Sequence, residues 1–471
     1  MRALLLSLIL GFAALSAAQT KPAPSQLTIE HANVVDTRHG TVLRNQTVVV
    51  QNGVIQALSP DGVLADKGTV IDATGKYLIP GLWDMHVHSA LTPVWDERVI
   101  YSLYIANGVT GIRDMGGDPG LLEQRRGRIV RGELLGPHMI MAGPFLAGGK
   151  SNSETIAINT PEEARQAVDT LKQRGVDFVK ILTNIPRDSY FAVAEESAKQ
   201  NLHFVGHVPT AVSVAEASAA GQHSIEHLTG VSLACSSKEN TIRQQMLEAR
   251  TKRDYAALIP LGQQVLDTYD GDKAQRLFAL LKKNATWQVP TLVWTQANST
   301  VDEAEKLHAD SRLQYVPAKI KSAWDPKKTL QQTSAEELKL AKAELVRDVE
   351  LVKSMHTDGV SFMAGSDGPD PFVFPGFSLH DELEWLVKAG FTPAEALQAA
   401  TLEPATFMDK LDRYGVVEPG HEADMVLLEA NPLEEIRNTR RISAVILGGK
   451  YYGRAELDRI LAQVQDLAKT Q

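Results

Sequence analysis

Apolar and polar positions change rhythm along this chain. Residues 27–79 carry short β-branched runs, among them Leu27-Thr28-Ile29, Thr47-Val48-Val49-Val50 and Val70-Ile71-Asp72. Such runs have strand length and strand character. Asn52-Gly53 between two of them signals a hairpin, because both residues tolerate the positive φ of a type I′ turn. The same style returns near the C-terminus with Met425-Val426-Leu427-Leu428, then Ile442-Ser443-Ala444-Val445-Ile446-Leu447 and a Gly448-Gly449 turn. Two β-rich ends predict one small β-sandwich built from residues 27–79 and 413–454.

The middle alternates. Apolar runs occur at Tyr77–His88, Val109–Met115, His138–Met141, Val176–Thr183, His203–Val208, His223–Leu228, Trp287–Val293 and Val360–Asp367, with helical patterns between most of them. Thr160-Pro161-Glu162-Glu163 opens one helix with an N-cap, a first-turn proline and acidic residues; Gly175 closes it. Strands separated by helices predict an α/β fold, a (β/α)8 TIM-type barrel over residues 80–412 rather than an open sheet. Two connections, 229–286 and 294–359, are long, charged and helical. Insertions after barrel strands lie where substrate binds, so these are expected to form a cap, a pocket wall or plain solvated decoration.

Composition narrows the class. The 471 residues are 44% hydrophobic and 22% charged, with 57 acidic against 48 basic side chains and a net charge of −9. These are ordinary globular values, and the mild acidity argues against nucleic acid or anionic membranes as partners. The first eighteen residues join one Arg to an apolar core and small residues, which predicts a signal peptide over residues 1–18 cleaved before Gln19. The run is short for a membrane span and no Cys follows it, so export to a bacterial periplasm or the medium is expected, without a stable anchor. Cys235 is the single cysteine and reads as buried and inert.

The chemistry gathers at strand ends. In Asp84-Met85-His86-Val87-His88, side chains two apart share a strand face, so His86 and His88 point the same way. Two imidazoles so placed suit one metal ion, although a lone His-x-His is equally a chance pair. Later runs end in Val179-Lys180-Ile181, Gly206-His207-Val208, Ile225-Glu226-His227 and Ala364-Gly365-Ser366-Asp367. Taken singly, Lys180 could snorkel from a barrel rim, His207 could be a satisfied core histidine, and Asp367 could cap the turn through Gly368-Pro369. Together at one barrel mouth, four histidines and a carboxylate make a site for divalent metal. A buried Lys180 amine would have a lowered pKa and could take up carbon dioxide as a metal-bridging carbamate.

Three other positions keep two readings. Arg113, ending the second strand, could meet a substrate carboxylate or form a barrel salt bridge. His380 could support the site from behind or merely begin a helix. Asp84 could support His86 or form a salt bridge within the barrel, while His203 and His223, near the barrel floor, read as structural.

These motifs resemble the metal-dependent amidohydrolase superfamily, and within it the imidazolonepropionase-like and prolidase-like branch of exported bacterial members. The first-strand signature is Leu78-Ile79-Pro80-Gly81-Leu82-Trp83-Asp84-Met85-His86-Val87-His88; Gly420-His421-Glu422-Ala423-Asp424-Met425-Val426 resembles that family's return to its β-sandwich. The resemblance implies one metal on His86, His88 and Asp367, a second on His207 and His227, and a carboxylated Lys180 with a hydroxide bridging them. Zinc is the expected metal. It further implies hydrolysis of a C–N amide bond in a small molecule, a dipeptide or N-acyl amino acid, by that hydroxide, with Asp367 moving the proton. A mononuclear cyclic-amide hydrolase or deaminase, and a lactonase or esterase on the same centre, stay open, as does a homo-oligomer. No Gly-x-Ser-x-Gly elbow or glycine-rich phosphate loop is present.

Overall fold

Residues 26–60 and 68–470 are described by a computed structural model. The expected signal peptide lies outside the described residues. Among the described residues no helix is long and apolar enough to cross a membrane.

Both chain ends build one eight-stranded sheet. Its order runs Lys450–Gly453, Ile442–Leu447, Met425–Leu428, Tyr77–Pro80, Gln26–Asp36, Thr41–Gln51, Val54–Pro60, with Thr69–Asp72 also pairing Gln26–Asp36. Leu78 sits opposite Leu427, so the N-terminal and C-terminal strands interlock. The Asn52-Gly53 turn has φ of 53° and 81°, and Gly448-Gly449 has 55° and 78°, the left-handed conformations their residue types permit. The sheet encloses one apolar core, in which Ile29, Val34, Val48, Ile55, Leu78, Met425, Leu427 and Ile446 meet. The alternate residues Ile79, Val426, Leu428 and Val445 belong instead to the main core of the barrel. Both faces of these strands are covered, which is why Met425–Leu428 reads as an unbroken apolar run rather than an alternating one.

The chain leaves this sheet at Gly81 and enters the barrel. Its strands are Leu82–Val87, Val109–Asp114, His138–Met141, Val179–Ile181, Phe204–Gly206, Ser224–Glu226 and Trp287–Val289, arranged in three- and six-stranded parallel sheets. Two short strands, Phe145–Ala147 and Thr155–Ala157, extend the six-stranded sheet. Asp177 N–H donates to Met141 O at 2.9 Å and joins the two sheets. The eighth run, residues 360–367, is irregular yet hydrogen-bonds on both sides. Met85 N–H donates to Ala364 O at 2.9 Å, and Gln288 N–H to Ser361 O at 2.9 Å. These bonds close the ring. Gly365 explains the irregularity: a Cβ there would stand 2.8 Å from His86 Cβ and 2.7 Å from Val289 Cγ1, so only glycine lets this run press between its neighbours.

Helices cover the outside. Pro161–Arg174 carries the capping box Thr160/Glu163 and stops at Gly175 with φ 75°, as its sequence predicts. The long connections hold helices, ending in Ala335–Thr357, which packs on Leu292–Ser299 and Leu258–Asp267. A C-terminal helix, Arg454–Thr470, lies beyond the elements predicted from the sequence and packs on Glu97–Ala106.

Candidate metal centre

Strand geometry brings the predicted ligands together. His86 and His88 lie at the C-terminal end of the first barrel strand, and Asp367 ends the eighth run beside it. The Nε2 atoms of His86 and His88 each stand 3.3 Å from Asp367 Oδ1, and His227 Nε2 is 3.8 Å from Asp367 Oδ2. The His227 ring lies 4.6 Å from that of His86 and 5.1 Å from that of His207, between centroids. Lys180 pairs in register with Val205, two residues before His207. Its Nζ is buried and has no hydrogen-bond partner.

Each imidazole is held by its other nitrogen. His86 Nδ1 lies 2.8 Å from Glu226 Oε2 and His88 Nδ1 3.0 Å from Gly116 O. Both partners can only accept, so the proton sits on Nδ1 and the Nε2 lone pair faces the centre. His207 Nδ1 meets Thr183 Oγ1 at 2.8 Å, and His227 Nδ1 meets Thr291 Oγ1 at 2.7 Å. Outer partners that orient ligand histidines are the usual companions of a metal site. His227, Thr291 and Asp367, all non-glycine residues, adopt φ of 57°, 49° and 62°. Such backbone is costly and gathers where side chains must be aimed.

Electrostatics agrees with a cation. Burial holds His86, His207 and His227 well below the usual imidazole range, so they stay neutral and ligand-competent. Burial opposes charge on His88 as well, but the Asp367 carboxylate outweighs it and raises that histidine. Burial pulls the Lys180 amine down to about 8. Two donors bound tetrahedrally to one zinc-sized ion lie about 3.3 Å apart. Asp367 Oδ1 stands at that spacing from both His86 and His88, and His86 Nε2 is a buried nitrogen without a hydrogen-bond partner. The residues therefore fit a divalent ion at His86, His88 and Asp367, with His207, His227 and Lys180 alongside.

Arg113 and His380 are not where a substrate could meet them. Arg113 is fully buried; its Nη2 donates to Glu226 Oε2 at 2.9 Å, its Nη1 to Ser224 Oγ at 3.0 Å and its Nε to Met85 O at 2.5 Å. It is the barrel salt bridge of the two readings. His380 is buried against Thr439 Oγ1 at 2.9 Å and Asn107 O at 3.0 Å, facing the turn Ile436–Arg440. Asp84 accepts from Ser366 N at 2.9 Å and Ser366 Oγ at 2.6 Å, tying the first strand to the eighth run; burial raises it to about 7. His203 and His223 pack ring against ring at 3.9 Å near Phe407.

Several residues of the site carried no signal of their own. Glu226 was visible only as the neighbour of His227, and Thr183 and Thr291 only as members of apolar runs. Phe145 stands 5.6 Å from the His88 ring and Trp294 5.4 Å from the His227 ring, giving the centre two aromatic flanks. Trp294 Nε1–H donates to Asp370 Oδ2 at 2.6 Å.

A second group, His138, Glu422 and Asp424, also gathers potential ligand atoms. Here His138 Nε2 and Asp424 Oδ2 are 2.7 Å apart, too close to share an ion between them, and Arg413 already holds Glu422. This group is an ion-pair clasp between the barrel floor and the β-sheet. It borders a cavity of about 750 Å³ that also takes in Trp83, His203 and Tyr414, at the opposite end of the barrel from the ligands.

A barrel that gathers histidine, lysine and aspartate side chains able to hold a metal at its C-terminal mouth is the arrangement of a metal-assisted hydrolase. Residues 77–451 match the Amidohydrolase family model, and the chain belongs to that family. It is an enzyme that hydrolyses carbon–nitrogen bonds. Ochratoxinase of Aspergillus niger is 22% identical to it, over 91% of this chain and 87% of that protein. Among solved structures, a bottromycin amidohydrolase superposes with a TM-score of 0.71 at 20% identity, covering 94% of this chain and 90% of the other. A Xaa-Pro dipeptidase with bound methionine in its active site superposes with a TM-score of 0.66 at 20% identity, covering 91% of this chain and 100% of the other.

Proposed function

We propose that this enzyme cleaves the amide bond of a dipeptide or N-acyl amino acid at a centre of two divalent metals, zinc being the metal expected. The reading rests on one observation above all: three imidazole Nε2 atoms approach one carboxylate, Asp367, beside a buried and unpartnered Lys180 amine. Carboxylation of that amine would give the buried nitrogen a role and supply the second metal with an oxygen ligand. Metal ions held by these residues would supply Lewis acidity and an activated water. Asp367, whose Oδ1 stands 3.3 Å from both His86 and His88, would take the proton of the attacking water and hand it to the leaving nitrogen. His227 and His207, kept neutral by burial, would hold the second ion near the developing oxyanion. The names of the ochratoxinase and Xaa-Pro dipeptidase relatives favour amide substrates of this size. Export remains part of the proposal, on the pattern of residues 1–18.

Elemental analysis of the purified protein, paired with a library of dipeptides, N-acyl amino acids, lactones and esters, tests this. About two equivalents of metal and turnover confined to amides are expected. One equivalent with an unmodified Lys180, or turnover confined to lactones, would replace it.

A further inference from the structure

The proposal above leaves two substrate classes, which differ at one atom. A dipeptide carries a free α-ammonium; an N-acyl amino acid carries none. In a dipeptide the ammonium nitrogen is two bonds from the carbonyl carbon under attack, about 2.5 Å away. It must therefore sit at the rim of the metal centre, and a site made for it needs an anion there.

Asp370 is placed near that rim by Trp294, which joins it to the His227 ring. It follows Asp367 by three residues, through Gly368-Pro369, and its backbone turns back to bridge Val373. Burial, with the charge of Asp367 adding to it, pushes its carboxyl up to about 6, and the Trp294 hydrogen bond and the His88 charge oppose that rise. The other carboxylates around the ligands are committed below the site: Asp84 to Ser366, Asp114 to Ser89 and Gly116, and Glu226 to His86 and Arg113. All three are fully buried, whereas Asp370 is only half-buried.

Asp370 is also oriented. Trp294, in the helix Leu292–Ser299, lays its ring beside the His227 ring and donates Nε1–H to Asp370 Oδ2 at 2.6 Å. An indole N–H can only donate, so its partner is an acceptor in that place. Among the described residues no hydrogen bond reaches Asp370 Oδ1. One oxygen is anchored and the other has no hydrogen-bond partner among the described residues, and the indole that anchors the first lies beside the His227 ring.

We infer that Asp370, aimed by Trp294, binds the α-ammonium of the substrate, so that the enzyme acts on dipeptides with a free N-terminus and discriminates against N-acylated ones. This rests on the amide-hydrolase reading and narrows it. Asp370 is the binding group; Trp294 is a positioning residue. A merely structural Asp370, present to pin the indole, would serve both substrate classes alike.

Asp370→Asn keeps an oxygen for the indole and removes the charge. Calorimetry on the metal-loaded enzyme would use L-leucine and N-acetyl-L-leucine as probes, independently of turnover. The wild-type protein is expected to bind L-leucine about 10- to 100-fold more tightly than its acetylated form, the range of a charge-assisted hydrogen bond. Asp370→Asn is expected to erase that difference by weakening L-leucine alone. With the best dipeptide of the library and its N-acetyl counterpart, the loss should fall on KM for the free amine and leave the acetylated amide unchanged. Trp294→Phe should shift the same ratio in the same direction by a smaller factor. Equal losses on both probes, a preference for the acetylated form, or no binding of either by the wild-type protein would overturn the assignment. If nothing in the library is cleaved, the hydrolase reading falls, while the calorimetric ratio still decides the role of Asp370.

Discussion

His86 and Glu226 meet at 2.8 Å beneath the ligand cluster, and the carboxylate oxygen that accepts from the imidazole also accepts from Arg113 at 2.9 Å. One buried anion thus sets the tautomer of a ligand and neutralises a buried guanidinium. Glu226→Gln disturbs both. Metal affinity should fall by about 10- to 100-fold, the usual effect of losing such an outer partner. Stability should fall by about 3–5 kcal/mol, because Arg113 is left charged and without its counter-ion. Competition with a chelator measures the first, and denaturant unfolding of the metal-free protein the second; unchanged values in both would show that Glu226 is a bystander.

The clustered side chains were legible because each is a rare residue type at the end of an apolar run, and strand alternation fixes its face. Arg113 looked the same on those grounds, and the sequence could not tell which way it served. Its partner Glu226 lies 113 residues further on, on a strand brought near only by barrel closure. His380 failed for a related reason: its partners Asn107 and Thr439 come from a barrel connection and from the C-terminal sheet region. The β-rich ends were readable from β-branched runs and Asn-Gly or Gly-Gly turns. Their joining into one sheet rests on pairs such as Leu78 and Leu427, which only the fold brings together. The eighth run has the pattern of a strand, and Gly365 shows why it is an irregular one.

Lys180 offers a second prediction. Burial lowers its amine to about 8, so an appreciable neutral fraction is present near neutral pH to react with carbon dioxide. Protein reloaded with metal in ¹³C-bicarbonate should give a carbamate carbon resonance, and Lys180→Ala should lack it. The same variant should retain about one equivalent of metal in place of about two. A wild-type spectrum without that resonance would remove the carbamate from the proposal and leave Lys180 as a buried amine.

Asp367 has to coordinate and to move a proton, and Asp367→Asn separates the two. Asparagine keeps an oxygen for the metal but has lost the base. Turnover should drop by about 100- to 10,000-fold, the range for a positioned general base. Metal content measured on the same preparation should stay near the wild-type value. Wild-type turnover in this variant would take Asp367 out of the proton path; loss of metal would make it a ligand first.

His380, far from the ligands, predicts how stability depends on pH. Burial lowers its pKa from 6.5 to about 4, with the charge of Arg440 adding to the effect. The unfolded chain therefore takes up this proton first as the pH falls. The buried neutral ring is compatible with full stability above about pH 6.5, and its contribution is lost progressively down to about pH 4. A shift of that size corresponds to about 3 kcal/mol in total, of which about 2 kcal/mol appears between pH 7 and pH 5. His380→Gln keeps a donor for Asn107 O and has no proton to take up. Unfolding free energies of the two proteins should converge by about 2 kcal/mol as the pH is lowered over that interval. A difference between them that stays constant with pH would mean that His380 is not a source of acid sensitivity in this fold.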